Sequence, residues 1–339
     1  MTTTIAAADR AGPKWGVRPL LLVLGLAALL VIAVASVGVG AQSIGPVTVL
    51  NALFGSGDPD DVAVVRDIRI PRAVLAIGVG AALAVSGVLV QVLSRNPLAE
   101  PGLLGITSGA GFAITVGAGL GLTANALGEL LAAVVGAVAA ATMVAAVGLR
   151  SPLRMLLAGV ALSSVLTGVA LGMQLISPTV FDEYRFWSVG SLAGREQVPH
   201  TVPLLVIAVS VAAVLLLSRQ LAAIALGESV ARTLGVNVMV VRMVTLALVI
   251  ALAGAATAIA GPILFVGLIV PHLVRRAAGG SVPWLIGFAA VLGPVVLLVA
   301  DTAGRLLLPT GEMPVAIVTA FVGGPALIWA VRRYGVGRL

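Results

Sequence analysis

The sequence predicts an all-α membrane protein, a polytopic bundle of about ten transmembrane helices with both termini cytoplasmic. Three observations lead to this fold class: an apolar composition, a series of apolar windows of spanning length, and a biased distribution of basic residues. Of the 339 residues, 60% are hydrophobic and 10% are charged, and the mean hydropathy is +1.17. A chain with so little polar surface belongs in a bilayer.

The apolar windows set the number of helices, because a spanning helix needs about 20 mostly apolar residues. The eighth window is short and follows Ala-Gly-Pro at 260–262, so it is predicted to be tilted, broken or partly inserted. The windows cover residues 19–40, 73–94, 103–122, 126–149, 153–176, 199–217, 240–260, 262–274, 283–307 and 314–331.

The first window has a second interpretation as a secretory signal, because Arg10, Lys14 and Arg18 precede it and small residues follow it. Its apolar core of about 21 residues is longer than the roughly 7–15 of a signal. We therefore predict an uncleaved helix at the start of a single transmembrane domain, 18–334. Short tails, 1–17 and 335–339, flank this domain.

The basic residues predict the orientation of the bundle. With the N-terminus inside, the inner segments hold 14 of the 20 arginines and lysines, and the outer loops hold 6. This excess agrees with the positive-inside bias and with contact to membrane lipid headgroups. Three outer arginines lie in the sequence RDIRIPR at 66–72, predicted as a loop. The six outer arginines are Arg66, Arg69, Arg72, Arg185, Arg195 and Arg305.

The 41 glycines, many of them inside the windows, predict close helix packing, because small residues let helix backbones approach each other in lipid. Neither G-x-x-x-x-G-K-[ST] nor G-x-G-x-x-G occurs, so the glycines do not form a phosphate loop of those kinds. Aromatic residues make up only 4% of the chain, which argues against a nucleic-acid platform.

Two polar segments interrupt the windows. The outer segment, 177–197, mixes aromatic and charged residues and predicts a short helix at the membrane interface. The inner segment, 218–242, is too polar to span but keeps an approximately helical apolar spacing. It predicts two short amphipathic helices at the cytoplasmic surface, with Gly227 at the bend and Gly235 at the end.

The ionisable residues do not predict an enzyme or a metal centre. Cysteine is absent, and no His, Asp or Glu pair has metal-ligand spacing. Glu100 and Glu312 stand beside prolines at predicted loop edges. Asp301 and Arg305 are one helical turn apart and predict a local ion pair.

An ion-gradient-driven secondary transporter is an alternative function, since glycine-rich helices suit such carriers. Coupling ions usually bind acidic groups near the middle of the membrane, and no window has a carboxylate at its centre. The energy would then come from a partner protein, for which the inner segment offers a surface.

Four sequence blocks resemble one transporter family. They are IRIPRAVLAIGVGAALAVSGVLVQVLSRNPLAEPGLLGITSGAG at 68–111, ALGESVARTLGV at 225–236, GPILFVGLIVPHLVRR at 261–276, and DTAGRLLLPTGEMPVAIVTAFVGGPALIW at 301–329. Together and in this order they are similar to the permease subunits of bacterial ABC importers for iron-siderophore, haem and vitamin B12.

The resemblance implies half of a dimeric pore in the bacterial cytoplasmic (inner) membrane, formed with an identical or a similar second permease. Two separate ATPase subunits would bind ATP and Mg, and an extracytoplasmic binding protein would deliver the cargo. The chain itself would bind no cofactor and no metal and would not be an enzyme. We expect an iron-siderophore complex as cargo, with haem and vitamin B12 as alternatives.

The resemblance assigns the outer arginines Arg69, Arg72 and Arg305 to docking of the binding protein, because guanidinium groups suit carboxylates. The alternative is pairing within the chain, for which Arg66 beside Asp67 is the preferred case. The local acids available for such pairing are Asp58, Asp60, Asp61, Asp67 and Asp301.

On the inner side, the resemblance assigns ATPase coupling to the inner segment. A local role for Glu228, pairing with Arg232 one turn away, is the alternative. The predicted coupling residues are Gly227, Glu228, Ala231, Arg232, Leu234 and Gly235.

A transport path or gate is predicted where prolines interrupt apolar helices, because backbone groups freed at a cavity can line a path. Simple helix ends at the inner interface are the alternative. The candidates are Asn96, Pro97, Pro101, Pro271 and His272.

Overall fold

A computed structural model of the chain describes residues 16–40, 44–148, 151–196, 199–308 and 311–334. Within these ranges the protein consists of helices and connecting loops and contains no β-strand. Most of the predicted N-terminal tail and the whole C-terminal tail, 335–339, lie outside the described residues.

Ten main helices and several short ones form the described bundle, which confirms the predicted all-α membrane fold. Each predicted window overlaps one main helix, because hydropathy and helix length are linked by the thickness of the bilayer. The main helices are α1 (Val17–Gly38), α4 (Ile70–Ser94), α5 (Ile106–Gly119), α6 (Ala126–Gly148), α7 (Pro152–Ile176), α9 (Thr201–Ala225), α11 (Val238–Ala260), α12 (Val266–Ala278), α13 (Val282–Leu306) and α14 (Val315–Tyr334).

The short helices lie in the connections between the main ones. The predicted outer interface helix is confirmed as α8, which begins at a proline. The short helices are α2 (Pro46–Leu53), α3 (Pro59–Ala63), α8 (Pro178–Ser188), α10 (Glu228–Thr233) and a 3₁₀ turn (Pro101–Leu104).

Helix α4 lies at the centre of the bundle. Its most apolar stretch is 78% buried, whereas the corresponding stretches of α1 and α7 are each 11% buried. It packs against α9, α11, α12 and α13, while α5 and α6 pack on the far side of α11. The chain therefore surrounds most of one helix, α4, and leaves α1 and α7 as peripheral helices with apolar outer faces.

Glycine pairs bring the helices of this core together. A Cβ added to Gly80 of α4 would lie 2.6 Å from Gly293 O of α13, and one added to Gly293 would overlap Gly80 in turn. Gly109 of α5 and Gly136 of α6 make the same reciprocal contact. These contacts confirm that glycine serves helix packing here, since any larger side chain would separate the backbones.

Two predicted boundaries are wrong. The sequence RDIRIPR is not a loop: Val64–Arg69 forms a π-helical turn that continues directly into α4. At the inner end, residues 218–225 are the last turns of α9 rather than a separate surface helix, because no helix-breaking residue occurs before Gly227. Only the second predicted amphipathic helix, α10, is present.

Candidate functional site

The outer end of the bundle holds a buried cluster of arginines and carboxylates. Arg72, on the first turn of α4, makes a two-point contact with Asp301 of α13, with Nη2 to Oδ1 at 2.8 Å and Nε to Oδ2 at 3.1 Å. Arg72 Nη1 also contacts Glu312 Oε2 at 2.6 Å. Arg305 Nη2 lies 3.2 Å from the second oxygen of Asp301. Asp301 therefore balances two arginines, and the predicted ion pair between Asp301 and Arg305 is confirmed.

Two arginines of this cluster also hold the C-terminal end of α1. Arg69 Nη1 donates to Val37 O at 2.8 Å, and Arg305 Nη1 donates to Val39 O at 2.8 Å. The last carbonyl groups of a helix have no partner within the helix and carry partial negative charge. The guanidinium groups supply those hydrogen bonds, so the cluster joins α1, α4 and α13 at one end of the membrane domain.

The three predicted docking arginines are buried and have little contact with the surface. Arg69 is 7% exposed, and Arg72 and Arg305 are each 6% exposed. The side chain of Glu312 is 33% exposed and is the carboxylate through which this cluster reaches the surface. Arg72 and Arg305 pair with Asp301, one of the local acids that the alternative interpretation named, whereas Arg69 binds the backbone carbonyls of Val37 and Gly38. The docking role of all three stays a prediction.

Arg66 has a different partner from the one predicted. Its Nη2 donates to Leu53 O, the last residue of α2, at 2.6 Å. No ion pair with Asp67 is found within the described ranges. The contact resembles those of Arg69 and Arg305, because in each case a guanidinium binds a carbonyl at a helix end.

The inner end of the bundle presents α10 on an exposed turn. Gly227 has φ +125° and Gly235 has φ +78°, in the left-handed region that favours glycine, which confirms that glycines form the bend and the end. Within α10, Ala231 is buried against the bundle. Leu234, which follows the helix, is 62% exposed, so the segment has one packed face and one free apolar face.

Glu228 organises the charges at this inner end. It pairs with Arg232 at 3.6 Å, as predicted, but its shorter contact is with Arg242 of α11 at 2.6 Å. The hydrogen bond and the charge of Arg242 lower the pKa of Glu228, so this carboxylate stays ionised at neutral pH. The contact with Arg242 fixes the start of α10 to α11. Sequence spacing does not show this partner, which lies 14 residues away.

Helix α12 contains Pro271 rather than ending at it, so the predicted helix end at Pro271 and His272 is wrong. Proline removes the N–H that would bond Gly267 O, one turn earlier. Gln91 Nε2 of α4 lies 3.4 Å from this freed oxygen, and Gln91 Oε1 accepts from Arg275 Nη2 at 2.6 Å. A side chain of the neighbouring helix α4 thus replaces the hydrogen bond that Pro271 removes, as is common for prolines inside membrane helices.

The turn after α4 contains the other predicted path residues. Asn96 Oδ1 accepts from Leu98 N at 3.0 Å, so Asn96 and Pro97 form a side-chain-stabilised turn at the end of a helix. Pro101 begins the 3₁₀ turn and packs near Gly267 of α12. Their part in a transport path stays a prediction.

Glu100 is a half-buried carboxylate, predicted from the sequence only to lie at a loop edge. Its Oε1 accepts from Phe265 N at 3.1 Å, at the start of α12, where Phe265 has the unusual φ of +70°. It lines a small cavity with Leu83 and Thr257, from the interior of α4 and α11. The chain before α5 therefore re-enters the bundle and carries this carboxylate with it, which apolar windows do not reveal.

No group of three His, Cys, Asp or Glu residues that could hold a metal ion occurs in the part of the chain that the structure describes. The bundle, its enclosed glycine-packed helix and its exposed inner turn define a polytopic membrane transport subunit. Residues 28–333 match the profile of the FecCD transport family, so the chain belongs to this family of ABC permease subunits. It is a transport subunit and not itself an enzyme.

Similarity to characterised proteins extends over nearly the whole chain. The ferric enterobactin transport system permease protein FepD of Escherichia coli is 42% identical over 315 residues, which are 91% of this chain and 94% of FepD. The hemin transport system permease protein HmuU of Yersinia pestis is 38% identical, covering 90% of this chain and 93% of HmuU.

A solved structure shares the fold. It is described as an inward-facing conformation of an ABC transporter of the metal-chelate type, and it superposes with a TM-score of 0.82 at 30% sequence identity. The match covers 93% of this chain and 99% of that chain.

Proposed function

We propose that this permease takes up a ferric siderophore complex across the bacterial inner membrane, driven by ATP and Mg on two separate ATPase subunits. The observation that supports this choice of cargo is the 42% identity to a ferric enterobactin permease over 91% of the chain. Other relatives are named as permeases for hemin and ferric dicitrate, so these iron compounds are alternative cargoes. Vitamin B12 remains the alternative from the sequence resemblance.

A second permease subunit, identical or similar, completes the pore in this proposal. Support comes from α7, whose residues Ser164, Gly168 and Gly172 are spaced four apart along the helix. A Cβ added to either glycine would meet no atom within 4 Å, so this small-residue face is unused within the chain. Faces of this kind allow two membrane helices to approach closely. The α14 residues Phe321 and Val322, 75% and 66% exposed, offer a further apolar surface.

The outer cluster supports a specific docking mechanism for the binding protein, in which Arg72 exchanges one carboxylate partner for another. Arg72 Nη1 is held by Glu312, the carboxylate of the cluster that is one-third exposed. A carboxylate on the binding protein would displace Glu312 from this atom, while Asp301 continues to hold the other side of the guanidinium. Arg69 and Arg305 would then contribute positive potential from beneath the surface rather than direct contacts.

We expect Glu312→Gln to tighten capture of the binding protein, because a neutral amide competes less well for Arg72. The gain should be about two- to fivefold at low salt, in the range of a partly exposed ion pair. Titrating the binding protein against the permease complex in nanodiscs measures it. Asp182→Asn, which removes an exposed carboxylate paired with Arg185 on α8, is the matched control. Weaker capture by the Glu312→Gln variant would refute the displacement mechanism.

The inner segment supports a docking site for the ATPase. Glu228 fixes the position of α10, and Leu234 presents an exposed apolar side chain. Gly227 and Gly235 set the path of the chain on either side, and no atom approaches a Cβ at either position. A substitution there would strain the backbone without a clash in the core. The proposed coupling residues thus form one segment that is attached to the bundle by Ala231 and Glu228 and presents Leu234 at the surface.

Replacing Gly235 by Arg should leave the permease folded but uncouple transport from ATP turnover. A non-glycine residue at φ +78° costs roughly 1 kcal/mol and turns Leu234 away from the ATPase. ATPase binding and ATP-dependent uptake should both fall about fivefold or more, since a residue at the centre of a docking surface can carry over 1 kcal/mol. Gly121→Arg, at φ +71° in another open turn, controls for backbone strain. Normal uptake by the Gly235 variant would count against this seat.

The proposed path runs beside the re-entrant turn and the proline-containing helix. Pro101 packs near Gly267 in α12, the helix that carries Pro271 and His272. Asn96 and Pro97 lie at the inner end of the same turn. A shift of this turn against α12 would open or close the inner side of the pore, which gives the five predicted path residues a gating role in the proposal.

A further inference from the structure

A cavity of about 280 Å³ lies at the inner end of the bundle, apart from α10. The C-terminal ends of α4, α9 and α12 and the start of α13 surround it. Its polar lining consists of side chains and backbone that can donate hydrogen bonds, from residues Gln91, Arg95, Arg275, Gly280 and Ser281.

Two arginines give this cavity positive charge. Arg95 uses one guanidinium nitrogen for a 3.3 Å contact with Ile224 O, and Arg275 donates to Gln91 at 2.6 Å. Arg275 Nε is buried and makes no hydrogen bond to the described chain. Neither arginine has a carboxylate partner within the described ranges, and no Asp or Glu is among the residues that line the cavity.

The nearby acidic and basic groups do not cancel this charge. Glu228 is close enough to Arg95 for their charges to interact, but its oxygens contact Arg242 and Arg232. Arg276 follows Arg275 on α12 and adds a further positive charge at this end of the helix. Among the residues that line the cavity, two side chains are positively charged and none is negatively charged.

The start of α13 adds backbone donors to the same cavity. Ser281 is the N-cap residue of this 25-residue helix, and its side chain makes no capping hydrogen bond. Gly279 and Gly280 both have positive φ, at 58° and 79°, so the chain bends just before the helix starts. The start of a long helix favours an anion. Ser281 N already donates to Ala278 O and Pro283 has no N–H, so Val282 N–H and the Ser281 hydroxyl are the donors that an anion would meet here.

We propose that this cavity binds a phosphate group, supplied either by the headgroup of an anionic lipid in the inner leaflet or by free phosphate. Arginine fits phosphate oxygens with two parallel hydrogen bonds, and both Arg95 and Arg275 line the cavity. Basic pockets between membrane helices on the cytoplasmic side suit lipid headgroups in the same way.

The test uses the purified full-length permease in nanodiscs of phosphatidylcholine alone, with added phosphatidylglycerol, or with added inorganic phosphate. Thermal midpoints and lipids retained in native mass spectra are measured for the wild type, Arg95→Gln and Arg275→Gln. Arg219→Gln, on the exposed inner part of α9 and outside the cavity lining, removes the same charge as the control. Arg95 is exposed and has one long contact, so its variant folds even if the Arg275 variant does not.

We expect phosphatidylglycerol or inorganic phosphate to raise the thermal midpoint of the wild type and of the Arg219 variant. Binding should weaken about fivefold in the Arg95 variant, the loss expected for one basic residue near an anionic headgroup. A response to phosphatidylglycerol alone identifies a lipid site, and a response to inorganic phosphate identifies a phosphate-ion site. If neither probe acts on the wild type, or if the Arg219 variant loses as much as the Arg95 variant, the proposal is wrong.

Discussion

Replacing Asp301 by Asn should lower the stability of the permease by roughly 3–5 kcal/mol, the cost of breaking a buried ion pair by removing one partner. Asp301 is 2% exposed and contacts both Arg72 and Arg305. Without its charge, two buried guanidinium groups face each other, and Arg305 also loses its support beneath the end of α1. The thermal midpoint in nanodiscs, together with the yield of monodisperse protein, measures the effect.

The matched control for Asp301 is Asp182→Asn, in a surface pair with Arg185 at 3.2 Å whose side chains are 57% and 53% exposed. An exposed pair of this kind contributes about 0–1 kcal/mol, so its loss should hardly change the midpoint. Equal midpoints for the two variants would show that the outer cluster does not hold the bundle together.

Replacing Gly87 by Ala should prevent α4 and α12 from packing. The added Cβ would overlap the backbone oxygen of Gly267. A backbone atom in a packed helix cannot move aside as the end of a flexible side chain can. Overpacking a core commonly lowers stability by about 1–3 kcal/mol. Because the clash here is with backbone, we expect a loss of about 3 kcal/mol or more. The change would also displace the Gln91 contact to the same oxygen, so loss of folded protein after extraction is the expected result.

Gly287→Ala provides the control, because this glycine of α13 has no atom within 4 Å of an added Cβ. Alanine favours a helix over glycine by up to about 1 kcal/mol, so the control should be neutral or stabilised. A Gly87 variant as stable as the Gly287 variant would show that the two helices are less closely packed than the structure describes.

The sequence predicts the main helices well, because the bilayer ties hydropathy to length. Local pairs are also predictable: Asp301 and Arg305, or Glu228 and Arg232, lie one turn apart on a helix. Arg72 and Glu312 are separated by 240 residues, and no periodicity brings them together. The outer cluster therefore appears only once the helices are packed.

Other features were missed because they depend on how backbone groups are satisfied. Pro271 looks like a helix end in sequence, but Gln91 from another helix reaches the carbonyl that it frees. Glu100 looks like a loop residue, but the chain folds back into the bundle and places it at the start of α12. The partners of Arg66, Arg69 and Arg72 were also missed, because a carbonyl at the end of another helix, or a carboxylate more than 200 residues away, cannot be read from composition or resemblance.

The most direct measurement is cargo uptake into proteoliposomes that contain the permease, with and without the ATPase, the binding protein and ATP. A ferric siderophore should accumulate only when all three are present, and a sodium or proton gradient alone should have no effect. Accumulation by this chain alone under an ion gradient would contradict an ATP-driven permease and support a secondary transporter.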